Sequence, residues 1–558
     1  MGPWNQESQP AHPPEGRDMK AKHLVWIRRI SQGLFLALFL ILLFQSRLPQ
    51  DAFVRYSLVF SSEEALSIKW PVEFFFQLDP LVALTSWISG HILVEGIGWA
   101  ILLLLTTIFL GRTFCGFICP FGTIHHLASS IRPALKGKRL EDSNQKSKWQ
   151  QAKYFVLIMV LIGGFFGLNL AGIMDPISFL FRSMAISVLP AIGIAASSIF
   201  HAFAFSDIKL IAYLSYGGEF LVAPLFGYEP QAFQTGWFIG ILFLFILFLN
   251  RLKPRFWCRA LCPLGALLGL FSRFSLLRLS KDEAKCTHCG ICTRVCQGAA
   301  SPEPQTVWEP AECITCFNCF YSCPEDALSF KLKWTIKPNK APDMGRRAVL
   351  GGLLAGVSIP FLGRLDGKIS KVPDSSLIRP PGAVPEEKFL TLCQRCGLCM
   401  KVCPTNAIHP TLGEAGAAGL WTPKLIMNIG YCEYTCTLCG NVCPTGAIEE
   451  LSIKEKIGKP VRIGSAFIER GKCLPWSGNA PCIVCEEHCP TSPKAIYLRK
   501  EKVKVHKGKV VEMQLPFVEL SLCVGCGICQ NKCPVKGEPA IRVISAGESR
   551  SQKTQLLL

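Results

Sequence analysis

The 558-residue sequence contains no Cys-x-x-Cys-His, which excludes haem attached in the c-type manner. It has no Gly-x-Gly-x-x-Gly behind a strand and no Walker A loop, so the usual cradles for a nicotinamide dinucleotide or for ATP are missing. No constellation for hydrolysis or group transfer stands out. His91 and His201 lie near outer ends of apolar runs but build no two-span histidine ladder for haem. Acidic residues are scarce, 40 against 59 Lys and Arg, and the net charge is +19. Those charges cluster beside apolar spans, where they orient a chain in a membrane, so a nucleic-acid partner is not expected. A cleavable signal peptide is not expected either, because a long apolar run follows Arg28-Arg29 with no small-residue cleavage site after it. None of the 28 cysteines is left over: they form six groups of four and two pairs.

The C-terminal stretch carries four of the groups. The first is Cys393, Cys396, Cys399 and Cys403, and the fourth, with the same strict spacing, is Cys523, Cys526, Cys529 and Cys533. Between them lie looser versions, Cys432, Cys436, Cys439 and Cys443, then Cys473, Cys482, Cys485 and Cys489. Each group ends in Cys-Pro. Three thiolates within seven residues suit three corners of an iron–sulfur cubane, the fourth cysteine ligating a neighbouring cluster. Zinc ribbons instead use two CxxC pairs a dozen or more residues apart, and a disulfide framework does not account for the repeated spacing. Upstream, Cys286, Cys289, Cys292 and Cys296 with Cys313, Cys316, Cys319 and Cys323 form a two-cluster ferredoxin unit. There Cys286, Cys289 and Cys292 are expected to join Cys323, and Cys313, Cys316 and Cys319 to join Cys296. Six [4Fe-4S] clusters are expected in all.

Half of the residues are hydrophobic. Spans are expected at 30–44, 92–110, 154–172 and 235–249, with 186–205, interrupted by Pro190, lying on the outer side or re-entering. Basic residues crowd the N-terminus, the loop 132–153 and the stretch Arg251–Arg259, while 173–234 holds only Arg182 and Lys209. The positive-inside rule then puts both ends of a four-span unit inside. An internal repeat runs through it: Asp79-Pro80 and later Cys115-x3-Cys119-Pro120, then Asp175-Pro176 and later Cys258-x3-Cys262-Pro263. A pseudo-twofold would gather Cys115, Cys119, Cys258 and Cys262, either as a metal or cluster site or as structural thiols. Asp79 and Asp175 either deprotonate a quinol or fix turns at helix ends. His125-His126 either touch a quinone or metal or sit at the interface.

Gly345-Arg346-Arg347 precedes a short Gly-rich apolar run. It is either an internal twin-arginine signal or a last membrane helix packed through Gly352-x3-Gly356, and both readings cross the membrane. The expected fold class is multidomain: an α-helical membrane domain of four spans plus one tether span, with α+β ferredoxin-like modules. The expected divisions are a disordered 1–23, a membrane domain 24–279, a two-cluster module 280–335, a twin-arginine-like segment 346–363, a linker 364–392 and a four-cluster domain 393–545.

The membrane half resembles the NapH-type polyferredoxins of periplasmic nitrate reductase systems and the related nitrous-oxide-reductase regulators. The resemblance rests on Gly111-Arg112-x2-Cys115-Gly116-x2-Cys119-Pro120-x-Gly122, its second copy at Arg255–Gly265, and the ferredoxin pair that follows. The C-terminal half is similar to the NapG/MauM-type ferredoxins, through Arg379-Pro380-Pro381-Gly382-Ala383 and the four groups ending in Cys523-x-Gly525-Cys526-Gly527. Two subunits that are usually separate are joined here. The resemblance implies a quinol dehydrogenase component of a respiratory chain in a bacterial inner membrane, with 280–335 cytoplasmic and 393–545 periplasmic. Electrons would pass from the quinone pool to a redox partner such as a cytochrome or terminal reductase. An electron-supplying maturation or regulatory role is the alternative. It further implies that group one shares cysteines with group four and group two with group three; sequential sharing is the other arrangement.

Overall fold

The computed structural model describes residues 19–47, 68, 70–131, 137–205, 208–226, 230–302, 308–334, 346–369, 374–458, 461–504 and 510–551. Most of the expected disordered N-terminus, part of the 364–392 linker and most of the Lys-rich 331–340 stretch lie outside those residues.

Among the described residues two helices are long and apolar enough to cross a bilayer, Lys22–Gln45 within Met19–Gln45, and Pro176–Ala204. At 1.5 Å per residue the first is about 40 Å long. Further apolar helices, among them Ile97–Leu110, Ala152–Phe165, Gly236–Arg251, Pro263–Ser272 and Val349–Leu362, are shorter. The span expected over 92–110 begins only at Ile97, because His91 and Gly96 adopt left-handed conformations that break the run. The span expected over 154–172 stops at Phe165, and the chain turns at Gly167 (φ 71°).

Pro190 does not end the stretch 186–205. A π-turn at Met184–Val188 widens the helix just ahead of it, and Pro190 then occupies the first turn of Leu189–Ala204. In a first turn an N–H would lack an intrahelical acceptor in any case, so the one proline is missing costs little. A helix with no counterpart in the sequence reading, Lys209–Phe226, folds back along it. Gly193 lies against Phe226 and Gly218 against Phe200, each too close to admit a larger side chain without movement.

Both Asp-Pro steps are helix starts. The Asp79 carboxylate accepts from Leu81 N (2.8 Å) and caps Pro80–Gly90; the Asp175 carboxylate accepts from Ser178 N (2.7 Å) and caps Pro176–Ser183. Proline at the first helical position has no N–H to leave unsatisfied.

The two-cluster module is closed by an antiparallel pair, Leu277–Lys281 with Leu328–Leu332, in register Leu277↔Leu332. It packs on one end of the helical region. Leu276 N bonds Ile108 O (3.0 Å), Arg112 Nη1 bonds Ala311 O (2.7 Å), and buried Glu312 receives Lys153 Nζ and Tyr154 OH. The four-cluster domain packs on the other end: Ser89 Oγ bonds Thr391 O (2.6 Å), Asn169 N bonds Leu390 O (3.3 Å) and Arg182 Nη1 bonds Arg395 O (2.8 Å). Ile97–Leu110 and Ala152–Phe165, about 21 Å long each, therefore stand between the two modules.

Helix Arg346–Ile369 runs alongside Ala152–Phe165 in the same direction, Gly351 near Phe155, Gly352 near Ile158, Gly356 near Ile162 and Phe361 near Phe166. A side chain at Gly356 would meet Ile162 at 2.7 Å, which is why small residues hold this face. The packing expected of a last membrane helix is thus present, whichever machinery reads Arg346-Arg347.

The four-cluster domain has little sheet: Ile408–Pro410 with Pro423–Leu425, Ser465–Ile468 with Ile541–Ile544, and Ile496–Lys504 with Val510–Val518. Arg379, ahead of the first cysteine group, is fully buried. It donates to Thr422 Oγ1 (2.8 Å), Pro423 O (2.7 Å) and Glu386, which also receives Arg550 (2.8 Å). Burial would lift the Glu386 carboxyl, but the two guanidinium groups hold it below the usual carboxylate range. The Arg-Pro-Pro-Gly motif therefore ties the domain's two ends together.

Candidate iron–sulfur sites

In each strictly spaced loop two residues take the left-handed conformation, two and four positions after the first cysteine. They are His288 and Gly290, Thr315 and Phe317, Arg395 and Gly397, Gly525 and Gly527. Such alternation turns successive backbone N–H groups inward and makes a concavity suited to an anion. A helix of four or five residues follows each loop (Ile291–Arg294, Asn318–Ser322, Leu398–Val402, Ile528–Asn531) and delivers the fourth cysteine away from its own group. The loose groups have the helix but not the left-handed pair.

Where that fourth cysteine goes is set by which short helices pack together: Ile291–Arg294 on Asn318–Ser322, Leu398–Val402 on Leu438–Asn441, and Val484–Glu487 on Ile528–Asn531. Cys286, Cys289 and Cys292 line one apolar cavity with Cys323, and Cys313, Cys316 and Cys319 another with Cys296, as expected. In the larger domain, Cys393, Cys396 and Cys399 share a cavity with Cys443, while Cys403 lies among Cys432, Cys436 and Cys439. Cys473, Cys482 and Cys485 share one with Cys533, and Cys489 lies among Cys523, Cys526 and Cys529. The sharing is sequential, one with two and three with four. This corrects the arrangement implied by the resemblance: likeness of spacing shapes a loop, whereas partner choice is made by helix packing. The domain is two copies of the ferredoxin unit, joined where Cys432 N bonds Cys526 O (2.8 Å).

These sets fit a cubane. Among the described residues no group of three or more Cys, His, Asp or Glu is gathered tightly enough for a single ion, as tetrahedral zinc at about 2.3 Å per thiolate would require. The larger cluster takes thiols set farther apart. Burial pushes the Cys396, Cys436, Cys485 and Cys526 thiols up to about 12, so loading them with iron must release protons.

The helical region brings its own cysteines together. Cys119 and Cys262 interact electrostatically with each other's groups and with Cys115 and Cys258. Cys119 Sγ accepts from Gly122 N (3.4 Å) and caps Pro120–Ser130; Cys262 Sγ accepts from Gly265 N (3.2 Å) and caps Pro263–Ser272. Two helix N-termini thus point their partial positive charge at the thiols. Arg112 Nη2 lies 3.8 Å from Cys115 Sγ, and Arg255 Nη1 donates to Cys115 O (3.4 Å). His125 is buried against Asn250 (Nδ1–Oδ1 3.1 Å), a structural contact between the two repeats. His91 is an exposed helix cap and His201 lies against Phe205.

Family models agree with this division. A 4Fe-4S binding domain matches 92–139, 235–281 and 439–462, the first two spans containing the Cys-x3-Cys pairs. 4Fe-4S dicluster domains match 278–324 and 392–447. The ferredoxin-type protein NapH of Haemophilus influenzae is 27% identical over 46% of this chain and 75% of its own length. MauM of Methylorubrum extorquens, a methylamine utilization ferredoxin-type protein, is 36% identical over 31% of this chain and 74% of its own length. NapG of Escherichia coli is 35% identical, over 30% and 70%. The chain belongs to the NapG/MauM ferredoxin-type proteins and is similar to NapH over part of its length. No solved structure matches it.

In this polyferredoxin several residues that the sequence reading passed over stand beside the thiols. Lys456 Nζ lies 3.5 Å from Cys432 Sγ. Arg182 and Arg395, both buried, bracket the Cys393 loop. Arg182 was visible as a lone cation in an apolar run, but nothing in the sequence told where the run would meet a cluster. Two glycines admit the cluster-bearing loops at opposite ends of the helices. A Cβ on Gly116 would lie 2.2 Å from Ile314 O, beside Cys313, and one on Gly172 would lie 1.9 Å from Gln394 O, beside Cys393.

Proposed function

We propose that this polyferredoxin is a membrane quinol dehydrogenase component that passes electrons from the quinone pool through [4Fe-4S] clusters to a redox partner outside the cell membrane, such as a cytochrome or terminal reductase. The observation carrying this reading is the placement of cluster modules at opposite ends of one helical unit, with a cysteine quartet within it. We take that unit as a four-span domain in a bacterial inner membrane, residues 280–335 on the cytoplasmic side and 393–545 on the periplasmic side, with 346–363 crossing between them. Six cubanes are held by the six mixed sets of cysteines. Cys115, Cys119, Cys258 and Cys262 hold a seventh cluster, favoured by two helix N-termini and by Arg112 and Arg255. Bound clusters supply one-electron transfer. The chain's own part is to line the centres up: the Cys313 loop on Gly116, the Cys393 loop on Gly172, and Cys432 against Cys526.

Anaerobic membranes containing the protein should show cluster EPR signals after addition of a reduced quinone analogue, and reoxidation when an external acceptor is supplied. Clusters that respond only to dithionite would overturn the reading. Sidedness has its own test. Protease outside spheroplasts should digest 380–558, and Arg346→Lys with Arg347→Lys should protect that region if the twin-arginine machinery exports it. Protection in the parent would place every cluster inside and end the proposal of outward transfer.

A further inference from the structure

The two halves of the internal repeat meet at their aspartates. Asp79 and Asp175 are fully buried, and their side chains are in hydrogen-bonding contact with one another. Each uses one oxygen to cap its helix, and its other oxygen, Asp79 Oδ2 or Asp175 Oδ1, finds no donor beyond the facing carboxyl group. Two carboxyl groups facing each other in a dry interior cannot both be ionised, so at least one proton lies between them. Capping alone does not require the two caps to face each other.

Seven residues along the helix from Asp175 stands Arg182. It is fully buried, donates to the carbonyls of Gly172 (2.8 Å), Ile173 (3.4 Å) and Arg395 (2.8 Å), and leaves Nε without a partner. Its guanidinium stacks over Trp421 (4.4 Å) and interacts electrostatically with Asp175 on one side and with Cys393 and Cys396 on the other. The surroundings hold few other charges. Helices Pro80–Gly90, Phe74–Gln77 and Ala171–Met174 carry no ionisable side chain. On Glu386–Leu392, packed against Pro80–Gly90, Glu386 is tied to Arg379 and Arg550, while Glu387 and Lys388 are exposed. Pro120–Ser130 presents His125, bound to Asn250, and Gly236–Phe248 carries no charge. Arg395 lies beyond Arg182, bonded to the carbonyls of Leu420 (3.0 Å) and Ala418 (2.8 Å).

We propose that the Asp79–Asp175 pair is a proton-binding site coupled through Arg182 to the redox state of the cluster held by Cys393, Cys396, Cys399 and Cys443. This goes beyond the function proposed above, since it holds for electrons moving in either direction. An electron arriving at that cluster adds one negative charge beside Arg182. The guanidinium is then drawn more strongly to the thiolates and compensates Asp175 less, and the pair takes up a second proton. The balance closes: one electron enters the cluster, one proton from water forms an O–H bond on the carboxylate oxygen that lacked one, and both leave on reoxidation. Ser86 Oγ, two turns along the helix from Asp79, accepts from Gln394 Nε2 (3.2 Å), a buried contact that ties the same helix to the Cys393 loop.

The test is a potentiometric EPR titration of the detergent-solubilised, cluster-loaded full chain at a series of pH values. It follows the signal that Cys396→Ser abolishes. The midpoint should fall as pH rises, towards one proton per electron, which for each tenfold change in proton activity is about 59 mV. In the Asp79→Asn, Asp175→Asn double variant the midpoint should be independent of pH. Arg182→Met should lower the midpoint and flatten its slope. A pH-independent midpoint in the parent, a slope that survives in the double variant, or an unchanged midpoint in Arg182→Met would each overturn the proposal. Should the double variant fail to fold, redox-difference infrared spectra of the parent decide. A carboxylic C=O band that grows on reduction and shifts in deuterated water supports the pair as the site, and its absence overturns it.

Discussion

Cys443→Ser should abolish the cluster built on Cys393, Cys396 and Cys399 and leave the one built on its own group, Cys432, Cys436 and Cys439, with all four ligands. The reciprocal change, Cys403→Ser, should spare the first cluster and strike the second. These outcomes follow from the packing of Leu398–Val402 on Leu438–Asn441, which sends each fourth cysteine into the other's cavity. With sharing between groups one and four, Cys403→Ser would instead strike the centre at Cys523. EPR spectra of the two variants, each missing one signal, distinguish the outcomes, and iron analysis should show the loss of about four atoms from each. Because the first cluster touches the helical region through Gln394 on Gly172, Cys443→Ser should also stop reduction of every other centre in the domain by a donor in the membrane.

Single serine substitutions at Cys115, Cys119, Cys258 and Cys262 should all remove the same spectroscopic signal while six others remain. Anaerobic parent protein should accordingly carry about 28 iron atoms if the quartet holds a cubane, against about 24 if it holds none. The four thiols come from two repeats; each repeat ends a helix and places a cysteine at the N-cap of the next, and Arg112 and Arg255, one from each repeat, both reach Cys115. Electron transfer between the two modules should fall at least tenfold in each variant, whereas reduction of the Cys286 and Cys313 sets by a soluble donor should be unchanged. Four distinct or silent effects would mark the quartet as structural thiols and leave the modules without a centre between them.

The cysteine groups were legible because three ligands fall within seven residues, so local spacing alone identifies them. Partner choice was not, since it depends on which helices of four or five residues pack together, their starts lying 27, 40 and 44 residues apart in the chain (291 to 318, 398 to 438, 484 to 528). The repeat was legible from Asp-Pro and Cys-x3-Cys-Pro, yet the meeting of Asp79 with Asp175 requires three-dimensional closure. Pro190 misled because a π-turn absorbs a proline that an α-helix interior would not. Lys209–Phe226 escaped notice because Lys209, Glu219, Gly217-Gly218 and Pro224 dilute its apolar pattern. The arginine beside the first cluster was visible as a residue, but its role belongs to an interface between segments more than 200 positions apart.

The backbone contact between Cys432 and Cys526 has a consequence for traffic, because it brings the loops of the second and fourth sets together. The first set touches the helices, the second adjoins the fourth, and the fourth shares its cysteines with the third, so centres held there would lie in series. Throughput is then set by the slowest junction, and a series path has no spare capacity. Widening the seam at Cys432 and Cys526, whether by a bulky residue nearby or a wedge from a bound molecule, would then slow the passage of electrons without removing a single iron atom.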